Sequence, residues 1–255
     1  TMADLNKLVI SCKNLSGKAL AKKGTLKLNK LKKPATYSIP KLWDSETDIE
    51  TIKEAEYNQK FPYLGTTNKN LIQKLKVERE INRTSFDCNE ILNLYQNLKP
   101  GTYELNVTVP GENGQISTQS FRFELYDVKS KVLSMPKFFS YKEVKSSGEP
   151  NEKAQFLVGS SVKDLKLLYE IEHQGKIVKQ EWVNRKNEQR LLEIPIEEKH
   201  RGGFSVHFLT FHSNRVVKRS SFITVPWSNK KLKVKLTSFR DKLKPGSREE
   251  WSIQV

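Results

Sequence analysis

The sequence contains few of the residues from which metal sites and disulfide frameworks are built. Its 255 residues include two cysteines, Cys12 and Cys88, and four histidines. Two cysteines are too few for a disulfide framework or a tetrahedral zinc site. They can form one bridge if they lie in facing strands of one domain, and the sequence leaves this pairing open. His207 and His212 are five residues apart in one predicted strand, so they point to opposite faces and favour no metal site.

Long apolar runs are also missing. No stretch of about 18 apolar residues occurs, so the sequence predicts no membrane-spanning helix. The chain does not open with the charged, apolar and small-residue segments of a secretory signal. Such a signal is therefore absent or already removed.

The motifs of the common enzyme classes are not found. The sequence has no glycine-rich phosphate loop, no His-Glu-x-x-His helix and no dinucleotide-binding fingerprint. Ser160 and Lys163 have the Ser-x-x-Lys spacing of penicillin-interacting enzymes, but they follow a strand and no Lys-Thr-Gly accompanies them. We interpret them as part of a polar turn. The sequence thus predicts a protein that is not an enzyme, with no catalytic residue, no cofactor and no metal.

Positive charge is abundant but unevenly distributed. The chain has 45 Lys plus Arg against 29 Asp plus Glu, a net charge of +16, of which residues 128–255 contribute +12. In Lys230–Leu236 the charges alternate with apolar residues, which is typical of a strand with one face in solvent. We therefore favour a solvated face over a nucleic-acid site, whose affinity would fall steeply with salt.

Strand patterns dominate the sequence. Residues 24–31 alternate polar and apolar side chains, and Pro100–Gly101 predicts a turn into a strand with Tyr103, Leu105 and Val107 on one face. Later, Gln174–Lys176 predicts a tight hairpin turn. Short alternating strands with a turn signal about every ten residues predict an all-β fold of tandem antiparallel β-sandwiches.

One segment has helical spacing instead. Ser45 and Asp48 resemble an N-terminal capping pair, and Ile49 and Ile52 follow at helical intervals. The pattern predicts one short inserted surface helix near residues 46–59, with both isoleucines packed on a sheet edge.

The pattern of short alternating strands is interrupted and resumes twice along the chain, which indicates three successive units. We predict a first sandwich with the helical insertion at 1–127 and a second sandwich at 128–228. Residues 229–255 contain two further strands, which either complete the second domain or begin a truncated third one. Two strands are too few for an independent domain.

The four tryptophans allow two interpretations. Trp43, Trp182, Trp227 and Trp251 could each stack on a sugar or a base, but we favour core or interdomain packing for all four. Trp227 and Trp251 lie at the boundary of the last two units, and with Arg240 they are candidates for interdomain contacts.

Several segments together resemble a known family. They are Asn14–Lys18, Phe61–Tyr63, Leu157–Ser161, Ile194–Pro195, Arg201–Gly203, Val225–Leu232 and Ser238–Trp251. The last of these includes a Pro-Gly turn before a strand. In these segments the chain resembles the large bacterial alpha-2-macroglobulin-like proteins, especially those of Bacteroidetes-type bacteria.

The resemblance implies macroglobulin domains of the fibronectin-like sandwich type. They would belong to an extracellular endopeptidase inhibitor of the cell envelope, lipid-anchored through an upstream segment, that traps proteases. The implied partners are other domains of the parent chain and, through the parent, proteases. The family's thioester motif Cys-x-Glu-Gln is not matched, since its nearest counterpart is Lys186–Gln189, without a cysteine. An adhesion or glycan-binding module using Trp43 or Trp182 is the alternative.

Overall fold

The protein was examined as a computed structural model, which describes most of the chain. The described residues are 8–14, 16–39, 51–61, 71–92, 98–111, 114–230, 235–238, 244–246, 248 and 252–254. They are built mainly of antiparallel strands, so the predicted all-β fold is confirmed.

The first part of the chain forms a four-stranded sheet and a small two-stranded one. Its elements are β1 (Leu8–Val9), β2 (Lys23–Leu31), α1 (Glu54–Lys60), β3 (Val77–Asp87), β4 (Ile91–Leu92), β5 (Gly101–Pro110) and β6 (Ile116–Leu125). The larger sheet has the order β3-β2-β5-β6, and β1 pairs with β4. A 3-10 turn, Leu71–Lys74, precedes β3.

Alternating side chains of β2 and β5 form the first core. Leu26 lies opposite Val107 and Leu28 opposite Leu105, and all four are buried. Tyr103 is buried as well, so the predicted apolar face of β5 is confirmed. The other face of the sheet is polar, as expected for a sheet with one face in the core.

A disulfide joins Cys12 to Cys88 across a sequence separation of 76 residues. Cys88 directly follows β3 and is buried in the first core. Its amide donates to the carbonyl of Lys22, and the carbonyl of Cys12 accepts from the amide of Leu20. The bridge therefore fastens the segment after β1 to the end of an edge strand, and the question left open by the sequence is settled in favour of pairing.

Strand β3 has eleven residues and the sequence pattern did not reveal it. Phe86 is its only fully buried side chain, and Glu80 pairs with Lys27 of β2 at 3.1 Å. As an edge strand with both faces largely in solvent it has no apolar alternation. Charged side chains on such an edge discourage pairing with other chains.

The predicted helix near 46–59 is wrong at its start. Residues 51–53 are described and are not helical; α1 begins at Glu54, after an extended Lys53 that makes no side-chain cap hydrogen bond. Residues 40–50, including the predicted cap and Ile49, lie outside the described part. The helix thus begins further along the chain than predicted, and an ion pair between Glu56 and Lys60 (2.8 Å) links side chains one turn apart within it. Ile52 is 36% exposed, so its predicted packing on a sheet edge is not observed.

The second part of the chain is a β-sandwich of seven strands. They are β7 (Ser140–Lys145), β8 (Lys153–Ser160), β9 (Leu165–His173), β10 (Lys176–Arg185), β11 (Glu188–Pro195), β12 (Phe204–His212) and β13 (Arg215–Ile223). One sheet has the order β10-β9-β12-β13 and the other β11-β8-β7. Gln174 and Gly175, both with positive φ, form the predicted turn between β9 and β10.

Aromatic rings fill the space between the two sheets of the second sandwich. Phe156 and Phe208 meet edge to face with centroids 5.4 Å apart, and Tyr141 lies 5.2 Å from Phe208. At one edge, the Tyr141 hydroxyl, the Ser221 hydroxyl and the Glu143 carboxylate are hydrogen-bonded to one another. Burial raises the pKa of Tyr141 to about 12, so this hydroxyl keeps its proton.

Two short strands follow the second sandwich. Strand β14 (Lys235–Ser238) pairs antiparallel with β15 (Ser252–Gln254). Both lie in or next to the segments predicted as strands, and Gly246 between them has a positive φ of 79°. Each sheet of the described residues falls within one of the segments 1–127, 128–228 and 229–255, and the domain boundaries themselves stay a prediction.

Opening the disulfide should lower the free energy of unfolding by about 4 kcal/mol, because it releases a constraint on a long loop of the unfolded chain. Urea unfolding followed by circular dichroism, with and without reductant, measures this. The doubly substituted Cys12→Ser/Cys88→Ser protein is the control and should not respond to reductant. An unfolding midpoint that reductant does not shift in the natural chain would contradict the prediction.

Candidate functional site

Two of the least exposed charged side chains in the described part of the chain, those of Glu124 and Arg201, lie where the chain enters and leaves the second sandwich. We call the cluster of Glu124, Ser134, Lys137 and Lys142 the upstream junction. We call the cluster around Arg201, with Glu149, Glu198 and Ser228, the downstream junction.

The upstream junction is centred on one buried carboxylate. The Glu124 side chain, near the end of β6, is 4% exposed and accepts hydrogen bonds from the Lys137 ammonium and the Ser134 hydroxyl. The Lys142 ammonium lies 3.0 Å from the same carboxylate and 5.4 Å from the ring centroid of Tyr126. One acidic group from the first sheet is thereby held by two basic groups of the second unit.

The charge state of Glu124 follows from these contacts. Burial alone would raise its pKa, but Lys137, Ser134 and Lys142 outweigh that effect and hold the pKa below its ordinary value. The carboxylate is therefore ionised at neutral pH and forms charge-assisted hydrogen bonds.

Gln189 of β11 binds the connecting segment itself. Its side-chain amide donates to the carbonyls of Asp127 (3.1 Å) and Ser130 (3.0 Å), and its backbone amide donates to the carbonyl of Lys131. The side chain is 2% exposed. It lies opposite Gly159, where a Cβ would come within 2.5 Å of the Gln189 Cβ, so only glycine leaves enough room.

Apolar side chains complete the upstream end. Leu133, Met135 and Phe138 of the connecting segment are buried. The Phe138 ring lies 6.4 Å from that of Tyr37, so residues near the end of β2 also reach the second sandwich. The connection is thus a packed element rather than a free linker.

The downstream junction is organised by a guanidinium group. The Arg201 side chain, 9% exposed, donates to the carboxylates of Glu149 and Glu198, to the carbonyl of Pro226 and to the Ser228 hydroxyl. The Ser228 hydroxyl in turn donates to Glu149 at 2.8 Å. These carboxylates raise the pKa of Arg201 and keep it charged. The segment that leaves the sandwich is therefore tied to the connection between β7 and β8 and to the turn between β11 and β12.

His200 supports the turn that carries Arg201. It is buried, and its Nδ1 accepts the backbone amide of Glu197 at 3.0 Å in a capping box. Burial lowers the pKa of His200, while Glu197 opposes and Lys199 and His173 add to this effect. Its neutral form is the one that the structure requires, because a protonated Nδ1 cannot accept a hydrogen bond.

The predictions made for the individual tryptophans compare differently with the structure. Trp227 is 48% exposed, lies beside Gly202 and carries the Lys230 ammonium 4.5 Å above its ring. Its interdomain role with Arg240 and Trp251 stays a prediction, because those two residues lie outside the described part, as does Trp43. The packing interpretation is wrong for Trp182, which is 64% exposed on the outer face of a sheet.

The other residues considered as candidates have structural contacts. The Ser160 hydroxyl donates to the carbonyl of Phe138 at 2.6 Å and accepts the amide of Val162, which is the geometry of a turn. His207 bonds Glu172 and Ser220, whereas His212 contacts the ring of Phe138. Within the described residues no group of three or more metal-binding side chains occurs. In the same part of the chain, no helix has the length and apolar character to cross a membrane.

The residues of the two junctions were missed by the sequence pattern. Glu124, Lys137 and Gln189 contact partners that are 10 to 62 residues away in the chain, and sequence spacing does not reveal contacts over such separations. The sequence did predict the turn at Arg201–Gly203, which carries the central residue of the downstream junction, but it did not predict the contacts of that residue.

Antiparallel sheets joined by a packed connection, with a seven-stranded sandwich after it, define an all-β protein of the fibronectin-like sandwich type as the class. Within it, residues 140–255 match the family model described as the alpha-2-macroglobulin bait region domain, a little under half of the chain. This part of the chain is therefore similar to the alpha-2-macroglobulin family, which agrees with the resemblance seen in the sequence. The match covers the second sandwich from β7 onward and the two strands that follow it.

Comparisons with curated proteins and with solved structures add little to this assignment. No curated protein matches the chain. Among solved structures, the fibronectin(III)-like modules of Clostridium thermocellum CbhA are 12% identical, with a TM-score of 0.25, over 62% of this chain and 77% of that chain. This superposition is too loose to carry an argument about fold or function.

Gln189→Ala should loosen the upstream connection, because it leaves the carbonyls of Asp127 and Ser130 without their donor, at a cost of about 1–3 kcal/mol. Limited trypsin digestion measures this as faster cleavage at Lys129 and Lys131, which are exposed. Gln155→Ala, which removes an exposed hydrogen bond to Glu193, is the matched control and should digest like the natural chain. Equal cleavage rates of both variants would refute the role of Gln189.

Acidification should destabilise the downstream turn through His200. Its folded-state pKa lies below the ordinary value of 6.5, so the unfolded chain binds the proton first. Stability is therefore full above about pH 6.5 and decreases as the pH falls from there to the folded-state pKa. His200→Asn keeps an oxygen that can accept the Glu197 amide and should flatten this dependence. Thermal unfolding between about pH 7.5 and about pH 5.5 measures it.

The control for the pH series is His212→Asn, which should keep the dependence of the natural chain. If the His200→Asn protein lost stability with acid as steeply as the control, another group would be responsible.

Proposed function

We propose that the chain is a non-catalytic scaffold segment of a bacterial alpha-2-macroglobulin-type endopeptidase inhibitor that works as a protease trap. The observation that carries the proposal is the pair of junctions around a sandwich that matches the bait region domain. A trap needs walls of fixed geometry, and both ends of this sandwich are held by buried or nearly buried charges. The partners would be neighbouring domains of the parent and, through the parent, proteases.

The disulfide supports a location outside the cytosol. Bridges such as Cys12–Cys88 persist in oxidising compartments and are rare in the cytosol. We therefore propose the cell envelope, in the periplasm or at the cell surface, with a lipid anchor supplied by an upstream segment of the parent.

The parent inhibitor should protect a large protein substrate from a trapped protease while a small peptide substrate is still cleaved. In this parent, Gln189→Ala combined with Arg201→Met should reduce the protection, because the connecting segment and the downstream junction each lose a central donor. The ratio of casein to peptide hydrolysis measures it, with Gln155→Ala as the control that should protect normally.

The 255-residue chain alone should leave the protease fully active on both substrates. Inhibition by this chain at micromolar concentration would overturn the scaffold role. A junction variant of the parent that folds and protects as well as the natural parent would do the same.

A further inference from the structure

The outer face of the sheet β10-β9-β12-β13 carries large apolar side chains in solvent. Trp182 is 64% exposed, and Phe211 and Val216 are each 63% exposed. They lie on the face that points away from the aromatic core, because the intervening residues of the same strands, such as Phe208 and Leu167, are the buried ones.

Strand register brings these side chains together. Trp182 lies opposite Leu168, which lies opposite Leu209, so one row crosses three strands. Phe211 lies opposite Val216 in the next row toward the 213–214 turn. We call these five residues the apolar block; Trp182, Phe211 and Val216 are exposed, Leu209 is half-buried and Leu168 is 7% exposed. At a strand spacing of about 4.8 Å, it extends about 15 Å across the sheet.

The charged outer side chains within the two rows of the apolar block are both lysines, while the exposed pair Lys163 and Asp164 precedes β9. Lys218 lies opposite Leu209 and continues the first row, and Lys166 occupies the neighbouring outer position of β9. Both lysines are exposed. In these two rows of the described sheet, no acidic side chain occupies an outer position.

The acidic residues on the same face of β9 lie beyond the two rows of the apolar block, and each is hydrogen-bonded to a neighbouring side chain. Glu170 accepts a hydrogen bond from Gln180, and Glu172 is hydrogen-bonded to His207 at 2.8 Å. They form a polar half of the face with His207 and Ser220. Glu170 and Glu172 thus lie outside the two rows of the apolar block, and the charges within those rows are both positive.

A contiguous apolar patch of this kind marks an interaction surface more often than a solvated face. Exposed tryptophan is the side chain most enriched among residues that dominate binding energy. We propose that the apolar block, with Lys166 and Lys218, binds an acidic protein segment that contributes apolar side chains between its carboxylates. The apolar side chains would cover Trp182 and Phe211, and the carboxylates would pair with the lysines.

Charge distinguishes this occupant from the alternatives. A second copy of the chain would bring another +16, with +12 in residues 128–255, against the same face. A nucleic acid would meet only two lysines beside a mainly apolar surface, whereas phosphate recognition depends on many basic contacts. The inference stands independently of the protease-trap proposal, because it rests on the surface of one sheet.

The test uses the 255-residue chain and a labelled synthetic peptide that alternates Glu with Phe and Leu. Fluorescence anisotropy should show binding that weakens with added salt. Trp182→Ala and the pair Lys166→Glu/Lys218→Glu should each weaken it by about tenfold. A peptide with Lys in place of every Glu should bind at least about tenfold more weakly than the acidic one.

Matched controls lie on another surface. Phe121→Ala removes an aromatic ring that is 53% exposed on β6, and Lys99→Glu reverses an exposed charge outside the sheet. Both should bind the acidic peptide like the natural chain. Circular dichroism and thermal unfolding identify any variant that has lost its fold.

Four results would overturn the proposal. They are an acidic peptide that does not bind, equal binding of the acidic and basic peptides, equal effects of Trp182→Ala and Phe121→Ala, and a dimer in sedimentation velocity that Trp182→Ala abolishes. The last would assign the face to a second copy. Binding of an oligonucleotide or a glycan array that depends on Trp182, without peptide binding, would assign it to those ligands instead.

Discussion

The rest of the described arrangement depends on the buried carboxylate of Glu124. Moving a charged group out of water costs several kcal/mol unless opposite charges and hydrogen bonds replace the water. Lys137 and Lys142 provide that replacement, one from the connecting segment and one from β7. Because the carboxylate comes from the last strand of the first sheet, the need to satisfy it fixes how the second sandwich begins. Gln189 then holds the backbone between these groups, and the apolar side chains of the connection close the space around them.

The interior, the two ends and the outer face of the second sandwich carry different kinds of side chains and make different kinds of contact. Its interior is apolar and aromatic and provides the stability of the unit. Its two ends bear ionic and amide contacts to the chain on either side, where direction and specificity matter more than buried area. Its outer face leaves an apolar block in solvent. A domain arranged in this way can be held firmly between neighbours while one broad side remains open for contact.

The sequence pattern predicted the strands in which buried and exposed residues alternate. It did not predict the strands in which that alternation is absent. The apolar face of β5 was predicted because Tyr103, Leu105 and Val107 are all covered by the core. Strand β3 was missed because an edge strand has nearly all its side chains in solvent. Trp182 was assigned to packing because periodicity tells which residues share a face but not which face is covered. The contacts of Arg201 with Glu149 and of Gln189 with Asp127 join distant parts of the chain, which local spacing cannot indicate.

The bridge between Cys12 and Cys88 also determines what happens to the chain when a peptide bond within the bridged loop is cut. It encloses β2, α1 and β3 within one covalent loop. A single cut anywhere in that loop leaves both fragments attached to each other, so the β2–β3 and β2–β5 pairing can survive the loss of a peptide bond. In an oxidising environment a nicked molecule therefore stays one molecule, and its fragments separate only when the sulfurs are reduced.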